Sequence, residues 1–379
     1  MFKFSKRFTA TLALSAIVLA ACGGEEEATT NPEAGKEVQT TAEERMITDQ
    51  TGAEVTLPVQ VDEIVTGSIL PYFHTWFVAT NSTKEIVGMH PNSYNAAENS
   101  ILAKMSPDVL KADTSFVQNG EMNVEELMTI NPDAYFELST DEKSIQLARE
   151  AGINTVAIKA IDAAASEPLA TFNSWLTLTG EIADTTERAD RFIEIGTATQ
   201  NEITEKIKDL TPEQKPNALV LYQLSEQAIT VAGKNFFGNQ WLNATGANDI
   251  AENDVDGRKD VNMEQIYTWN PEIIYLTNFT EIQPEDLYNN TIPGQDWSEV
   301  DAVKNKQVYK IPLGIYRWFP PSGDAPLMLK WLASKNQPEL FDYNMEEEIR
   351  TYYKDFYEFD LTDEEIQSIL NPSSDAAKW

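Results

Sequence analysis

Short β-branched runs alternate with helical patterns along most of this chain, and that alternation limits the possible folds more than any other feature. Strand–helix–strand order favours an α/β fold with mostly parallel sheets, because parallel strands need crossover helices between them. The pattern starts near residue 46 of 379 and is longer than one hydrophobic core usually serves, so two lobes are predicted. The predicted strands are 63–66, 85–89, 134–138, 154–158, 218–222, 273–277 and 307–311.

A long helical pattern separates the first four predicted strands from the last three. Over residues 185–210, apolar or small residues recur at three- and four-residue steps with charged residues between them. A helix of about 26 residues is about 39 Å long, which is enough to join two lobes; a surface helix within one lobe is the alternative. The predicted organisation is an N-terminal lobe over 46–184, a linking helix over 185–210 and a C-terminal lobe with terminal helices over 211–379.

One short helix pattern occurs in each half of the chain, immediately before a predicted strand. In the first half, Asn123 stands two residues before Glu125. In the second half, Asn262 stands two residues before Glu264, and in both halves an Asn-Pro pair follows the glutamate by six residues. Asparagine is a good N-cap, a first-turn glutamate complements the helix dipole, and Asn-Pro ends the helix. This internal similarity indicates two lobes built on the same α/β plan.

The N-terminal segment has the parts of a lipoprotein export signal. Lys3, Lys6 and Arg7 precede an apolar run over 8–21, and small residues lead directly to Cys22. This order predicts a signal peptide over 1–22, with Cys22 as the site of lipid attachment after export. An ordinary cleaved signal with an incidental cysteine is the alternative. Cys22 is the single cysteine of the sequence, so no disulfide is expected in the exported protein.

Residues 23–45 have no aromatic side chain and no hydrophobic periodicity, which predicts a disordered tether. The formal net charge of the sequence is −33. Nucleic acid and anionic lipid surfaces are therefore poor partners, because both require basic patches, and no nucleic acid is expected to bind. We expect a domain on the extracellular face of the cell membrane, held there by the lipid anchor only, or on the periplasmic side if an outer membrane is present.

Taken in order, these features resemble the iron-siderophore and cobalamin branch of the periplasmic-binding-protein-like receptors of ABC importers. Residues 123–136 and 262–275 are similar to the helix–Asn-Pro–strand units of its two lobes. Residues 331–341 and 352–370 are similar to its late helix and its C-terminal tail, and the resemblance covers 46–371. It implies two Rossmann-like lobes joined by one long rigid helix, modest domain closure and a ligand held between the lobes. We also expect a monomer with no cofactor and no catalytic activity.

The resemblance also implies docking on a membrane permease through one surface glutamate in each lobe. By motif, these glutamates are Glu125 and Glu264. Two separated carboxylates can pair with arginines of an ABC transporter permease and fix the orientation of the receptor. The alternative is that each glutamate only stabilises the N-terminus of its own helix.

The strongest ligand-binding candidate is the segment after the last predicted strand, where Tyr316, Arg317 and Trp318 stand together. Ligands of open α/β sheets lie beyond the carboxyl ends of the strands, and an arginine among aromatic side chains suits a flat, anionic organic ligand. The alternative is that the aromatic side chains pack internally and Arg317 forms an internal salt bridge. The other ligand-binding candidates, in loops near strand ends, are Tyr72, His74, His90, Tyr94, Phe116, Tyr222, Asn235, Phe237 and Asn278.

The residues and the resemblance together predict capture of an anionic, oxygen-rich iron complex of the ferric-siderophore type. A corrinoid, haem, a molybdate-type oxyanion or a bare metal stays open as the ligand of the same receptor class. His74 and His90 are the only histidines, so a bare-metal site would need carboxylates or tyrosines to complete it. An anchored hydrolase or an adhesin is less favoured; a hydrolase would need a nucleophile motif such as G-x-S-x-G, which the sequence lacks.

Overall fold

The computed structural model describes residues 43–161 and 167–378, and it places one large β-sheet in each half of the chain with helices on its faces. Each of the seven predicted strands is present, with ends within two residues of the predicted ones. In the described residues the strands are β1 (Glu44–Thr48), β2 (Glu54–Pro58), β3 (Ile64–Thr66), β4 (Ile86–Met89), β5 (Val117–Gln118), β6 (Glu121–Met122), β7 (Ala134–Leu138), β8 (Thr155–Ile158), β9 (Asn217–Leu224), β10 (Ile229–Ala232), β11 (Asn248–Asp249), β12 (Arg258–Val261), β13 (Ile273–Leu276) and β14 (Val308–Lys310).

The first large sheet is fully parallel, in the order β4-β3-β7-β8. β3 and β8 are buried along their whole length, and β7 is buried at all but its last residue. Such continuous burial is typical of a parallel sheet that helices cover on both faces. The loops that follow β3 and β4 leave from the same edge of this sheet, because the two strands run in the same direction.

The second large sheet is mixed, in the order β12-β10-β9-β13-β14, with β11 paired beside β9. β9, β13 and β14 are parallel, whereas β10 is antiparallel to both β9 and β12. Residues 225–228 connect β9 to β10, and so short a connection can join only antiparallel strands. The pattern of alternating strands and helices did not predict β10 or β12. β12 is polar and mostly exposed, so it carries no hydrophobic signal.

Helices cover the sheets, and the longest of them contacts helices of both halves of the chain. α7 packs against α1 and α6 of the first half and against α8 and α12 of the second half, as expected for a linking helix. In the described residues the α-helices are α1 (Tyr72–Thr80), α2 (Pro91–Glu98), α3 (Leu102–Met105), α4 (Val124–Ile130), α5 (Glu142–Glu150), α6 (Ala170–Ala183), α7 (Thr186–Ile207), α8 (Phe237–Ala244), α9 (Met263–Trp269), α10 (Pro284–Tyr288), α11 (Asp301–Lys304), α12 (Ala325–Asn336), α13 (Met345–Phe356) and α14 (Asp363–Leu370).

The buried face of α7 is the one that its three- and four-residue spacing predicts. Its buried side chains recur along one stripe, and the helix lies inside the predicted bounds 185–210. At 1.5 Å per residue its 22 residues span about 33 Å. The buried residues of this stripe are Ala189, Phe192, Gly196, Thr199, Ile203 and Ile207.

A small antiparallel hairpin, β1 and β2, begins the described structure. β1 starts at Glu44, so the last two residues of the predicted tether, 23–45, belong to a strand. Asp49 in the turn accepts hydrogen bonds from Thr51 N (2.8 Å) and Ala53 N (3.0 Å), and it pairs with Arg149 of α5 (2.9 Å). These contacts hold the hairpin against the first sheet.

The predicted signal peptide over 1–22, its lipid-attachment residue Cys22 and most of the predicted tether lie outside the described residues. Within 43–161 and 167–378, no helix is long and apolar enough to cross a membrane.

Candidate functional site

Aromatic side chains from separate elements meet beside the second sheet. The ring of Tyr222, near the end of β9, lies 4.8 Å from the ring of Phe279, which follows β13. It lies 5.8 Å from the ring of Phe236, at the start of α8, and 6.0 Å from that of Phe319. Tyr222 and Phe236 are half-buried, whereas Phe279 and Phe319 are buried behind them. The cluster therefore presents aromatic surface that a ligand could cover.

An exposed arginine lies over this aromatic cluster. The guanidinium carbon of Arg258, the first residue of β12, is 4.6 Å from the ring centre of Tyr222 and 5.2 Å from that of Phe236. None of the salt bridges formed within the described residues involves Arg258. Burial raises the pKa of Tyr222, and the charge of Arg258 opposes that rise. The rings orient the guanidinium, which also hydrogen-bonds to Tyr222, and its remaining donors are available to an anion.

Arg317 lies behind the same cluster but is only 1 % exposed. Its Nε donates to the carbonyl of Asn278 (3.0 Å), and its Nη2 donates to the carbonyls of Ala376 (3.1 Å) and Lys378 (3.3 Å). Its guanidinium carbon is 5.0 Å from the ring centre of Phe279. In this structure Arg317 ties the segment after β14 to the C-terminal residues and adds positive charge beneath the aromatic surface.

Tyr316 joins the second half of the chain to the first. Its ring stacks on that of His74 at 4.7 Å and meets that of Phe73 edge-on at 5.7 Å. His74 also stacks on Phe172 of α6 at 5.6 Å. Burial lowers the pKa of His74 to about 3, so the imidazole is neutral at physiological pH. Tyr316 and His74 therefore form an apolar contact between the two halves.

A buried carboxylate fixes the segment that carries Tyr316 and Arg317. Asp324 Oδ2 accepts hydrogen bonds from Ile315 N (3.0 Å), Trp318 Nε1 (2.9 Å) and Tyr353 OH (3.0 Å), and its Oδ1 accepts one from Tyr357 OH (3.1 Å). Burial raises the pKa of Asp324 to about 6, and these hydrogen bonds limit the rise. Because Tyr353 and Tyr357 belong to α13 and its end, the carboxylate holds this segment against the C-terminal helices.

The first half of the chain presents polar groups after β3 and β4. Glu137, buried at the end of β7, accepts hydrogen bonds from Ser68 N (2.9 Å), Ser68 Oγ and Tyr135 OH. Burial raises the pKa of the Glu137 carboxyl. The half-buried His90 caps α2 by accepting a hydrogen bond at Nδ1 from Asn92 N (3.1 Å), and burial lowers its pKa. Ser68 and His90 thus stand at the carboxyl ends of neighbouring parallel strands.

A family model described as periplasmic binding protein matches residues 74–313. This span is more than half of the chain and contains β4 to β14, with α7 between the two large sheets. The chain belongs to the periplasmic binding protein family.

Similar proteins extend this assignment. A periplasmic solute binding protein of Veillonella parvula is 33 % identical, with a TM-score of 0.78 over 86 % of this chain and 97 % of that one. The molybdate-binding protein MolA of Haemophilus influenzae is 23 % identical over 83 % of this chain and 91 % of its own; its molybdate-bound structure gives a TM-score of 0.70. YvrC of Bacillus subtilis, an ABC transporter substrate-binding lipoprotein, is 23 % identical over 80 % of this chain and 88 % of its own.

As a periplasmic binding protein, the chain is a solute-binding receptor of an ABC importer, and the family consists of non-enzymatic transport components. This confirms the predicted receptor class and the predicted fold class of two α/β lobes joined by a linking helix. The first lobe contains the parallel sheet and the second lobe contains the mixed sheet. The aromatic cluster and Arg258 belong to the second lobe, and Ser68 and His90 belong to the first.

Most of the predicted ligand residues are buried in this structure, each with a local packing reason. Tyr72 OH shares a hydrogen bond with Thr179 (2.7 Å), and Asn278 Nδ2 donates to the carbonyl of Ile311 (2.8 Å). A buried side chain of this kind belongs to the core that supports the ligand site. Direct contact between these residues and a ligand stays a prediction. The buried members of the predicted set are Tyr72, His74, Phe116, Phe237, Asn278, Tyr316, Arg317 and Trp318.

The other predicted ligand residues keep accessible surface. His90, Tyr94 and Tyr222 are half-buried, and Asn235 is exposed. Tyr94 OH donates to the carbonyl of Leu110 (3.2 Å), while Asn235 Nδ2 donates to Asp256 (3.0 Å). Among these four, Tyr222 alone belongs to the aromatic cluster. Within the described residues, no three His, Cys, Asp or Glu side chains come together as a metal-binding group.

Sequence reasoning missed Arg258 as a site residue, and it placed Phe236 and Phe279 in candidate loops without choosing their side chains as ligand contacts. Phe236 and Phe279 adjoin predicted residues, Asn235 and Asn278, so the loops were identified but not the side chains. Arg258 was missed because β12 lacks alternating hydrophobicity, and only pairing with β10 brings it to Tyr222. The one sequence signal for Arg258 was its position directly after Gly257, at the end of a loop that contains Asp254 and Asp256.

The two short helices that the internal similarity predicted are present and have matching ends. Asn123 caps α4 by accepting from Glu125 N (3.0 Å), and Asn262 caps α9 by accepting from Gln265 N (2.9 Å). Both helices have seven residues and end at a left-handed asparagine. Glu125 and Glu264 are exposed in the first turns of the two helices.

Proposed function

We propose that this receptor captures an anionic, oxygen-rich iron complex of the ferric-siderophore type between its lobes and delivers it to the permease. The observation that carries the proposal is Arg258, an exposed guanidinium held over the half-buried rings of Tyr222 and Phe236. Planar aromatic ligand arms can stack on these rings while the guanidinium donates to anionic oxygen atoms.

The surroundings of the cluster support an anionic ligand. Arg317 places a second positive charge behind Phe279, where it is screened little by water. Arg258 forms no salt bridge within the described residues. On the first lobe, Ser68 and His90 offer polar groups that can contact the opposite side of the ligand. Their strands end at one edge of the sheet, where ligands of open α/β sheets bind.

Delivery requires that the receptor docks on the permease. We propose that Glu125 and Glu264 make this contact, one from each lobe, because both are exposed and occupy equivalent positions on matching helices. The lipid attached at Cys22 would keep the receptor at the outer face of the membrane as a monomer, near the permease. Replacement of Cys22 by alanine should then release the exported protein from the membrane fraction.

The proposal is tested by a thermal-shift panel on the purified protein. The panel contains ferric catecholate and ferric hydroxamate complexes, ferric citrate, cobalamin, haem, molybdate and free metal ions. A ligand that binds the folded state raises the melting temperature by mass action, so an iron complex should give the largest shift. A shift with haem, cobalamin or a free metal ion and none with any iron complex would overturn the iron assignment.

A molybdate-type oxyanion is the second candidate ligand, and the similarity to MolA favours it. A bare oxyanion has no planar arms, so it would use arginine, hydroxyl and backbone donors and leave the aromatic surface uncovered. In the same panel, molybdate alone would then shift the melting temperature. Replacement of Tyr222 by leucine separates the two cases, because loss of a ring face weakens a stacked chelate but not a bare oxyanion.

A further inference from the structure

We propose that a cavity on the outer flank of the second sheet is a separate binding site for a small organic anion with two or more carboxylate groups. The cavity has a volume of about 480 Å³, which is within the range of small-molecule sites. It lies between the edge strand β14, α10 and α12, and its walls include Tyr288, Tyr309 and Trp331.

Three lysines from separate elements line this cavity in a chain that has 61 acidic and 28 basic residues. They are Lys306, which precedes β14, Lys310 at its end, and Lys335 in α12. Glu285, which is exposed, is the carboxylate that lines the cavity with them. None of the salt bridges within the described residues includes any of the three lysines. The excess of positive charge therefore attracts an anion.

Lys310 is the most informative of the three because it is only 7 % exposed. Its Nζ donates to the carbonyls of Thr280 (2.6 Å) and Ile282 (2.9 Å), and those two bonds use two of the three ammonium donors. Burial lowers its pKa to about 7, with Arg317 as a further cause. The charge of Asp286 opposes this lowering, but Lys310 forms no salt bridge within the described residues. A buried ammonium without a paired carboxylate is costly, and an anion in the cavity would reduce that cost.

The aromatic walls indicate an organic anion rather than a bare inorganic one. Lys306 Nζ lies 4.0 Å from the ring centre of Tyr288, and Lys335 Nζ lies 4.9 Å from that of Tyr309. Trp331 meets Tyr309 edge-on at 6.3 Å. These contacts hold the two ammonium groups over ring faces and leave apolar wall for a carbon skeleton.

Arg258 itself and the cavity lie at opposite edges of the second sheet, whereas Phe279 of the aromatic cluster directly precedes Thr280, whose carbonyl accepts from Lys310. β12, which carries Arg258, is one edge strand, and β14 is the other. The two edges are four strand spacings apart, about 19 Å. Tyr288 OH bonds both the carbonyl (3.0 Å) and the N–H (3.1 Å) of Val308, so the outer edge of β14 is itself part of the cavity wall. The inference therefore stands whether or not the proposed iron ligand is correct.

Citrate is the probe for this site, with titrations followed by calorimetry and by the fluorescence of Trp331 and the other tryptophans. The wild-type protein should bind citrate saturably, and the double variant Lys306→Ala/Lys335→Ala should bind it at least about tenfold more weakly. The charge-matched variant Lys159→Ala/Lys215→Ala and the Arg258→Ala variant should bind citrate as the wild type does. Lys335→Gln provides a milder change that keeps the packing of α12.

Four results would overturn the inference. They are no saturable citrate binding up to about 10 mM, equal citrate affinity in the Lys306→Ala/Lys335→Ala variant, loss of binding in Arg258→Ala instead, and tighter binding of pyrophosphate than of citrate. The third result would place citrate in the Arg258 site, and the fourth would reject a carboxylate ligand.

Discussion

Arg258 and Arg317 show how one residue type takes two roles in the same lobe. Arg258 is exposed on an edge strand and lies over aromatic rings, whereas Arg317 is buried and bonded to three backbone carbonyls. An exposed guanidinium can exchange water for a ligand oxygen at small cost. A buried one that already holds backbone carbonyls stabilises the fold, because its removal leaves those acceptors unpaired.

Replacement of Arg258 by alanine should therefore weaken binding of the iron complex about tenfold or more, because a charge-assisted contact is lost. The melting temperature should change little, since Arg258 is exposed. Fluorescence titration with the iron complex that gives the largest thermal shift measures the effect. Lys259→Ala, which removes the neighbouring exposed cation, is the matched control and should keep full affinity. Equal affinities in the two variants would exclude Arg258 from the site.

The segment between β14 and α12 is the element that depends most on a single side chain. Asp324 accepts hydrogen bonds from the backbone N–H of Ile315 and the indole N–H of Trp318, which both belong to this segment. It accepts another from the hydroxyl of Tyr353 in α13. Gly314 permits this arrangement, because a Cβ at that position would lie 1.9 Å from Asp324 Oδ2. The segment is buried but forms neither a helix nor a strand. The hydrogen bonds to the Asp324 carboxylate therefore fix its conformation in place of regular backbone hydrogen bonds.

The raised pKa of Asp324 predicts a pH dependence of stability. The folded state holds this proton up to about pH 6, whereas the unfolded chain releases it near 3.8. The resulting stabilisation is fully present below about pH 4 and is lost as the pH rises through about 6, with a magnitude of about 3 kcal/mol. Urea unfolding from pH 4 to pH 7 should show this decline in the wild type.

Asp324→Asn is the matched variant for that measurement. Its amide keeps one oxygen for the donors of Ile315, Trp318 and Tyr353 and cannot ionise. Its free energy of unfolding should vary less between pH 4 and pH 6 than that of the wild type. If the two profiles run parallel over that range, the carboxyl of Asp324 does not titrate there.

At the scale of the whole molecule, one large hydrophobic cluster spans both lobes, and each lobe also has a smaller cluster of its own. A single cluster contains Phe73 and Phe136 of the first lobe, Phe192 of α7, and Tyr316 and Trp331 of the second lobe. Opening the lobes widely would expose part of this cluster to water, at about 25 cal/mol for each square ångström of apolar surface. The modest closure that the family resemblance implies is consistent with this continuity.

A fixed relation between the lobes also sets the separation of Glu125 and Glu264. The double variant Glu125→Ala/Glu264→Ala should bind the iron complex normally, because both side chains are exposed in the first turns of α4 and α9 and neither belongs to the aromatic cluster beneath Arg258. Uptake of the labelled iron complex by cells that carry the cognate permease should fall at least about tenfold. Glu142→Ala/Glu364→Ala removes first-turn glutamates of α5 and α14 and should keep normal uptake. Normal uptake by both variants would reject the docking assignment.

Local patterns determined a large part of this architecture. The seven predicted strands, the buried stripe of α7 and the matched helices α4 and α9 depend on neighbouring residues, since periodicity, capping asparagines and Asn-Pro pairs act within a few positions of the chain. These features also carried the family resemblance that the comparisons confirmed.

Tertiary contacts alone decided which side chains face solvent. Arg317 is buried, and it donates hydrogen bonds to the carbonyls of Ala376 and Lys378, which lie about sixty positions away along the chain. Arg258 reaches Tyr222 only because β12 and β10 extend the sheet in antiparallel order. Exposure depends on which distant segments cover a residue, and no local pattern records that, so the aromatic loop was identified from sequence while its accessible cation was not.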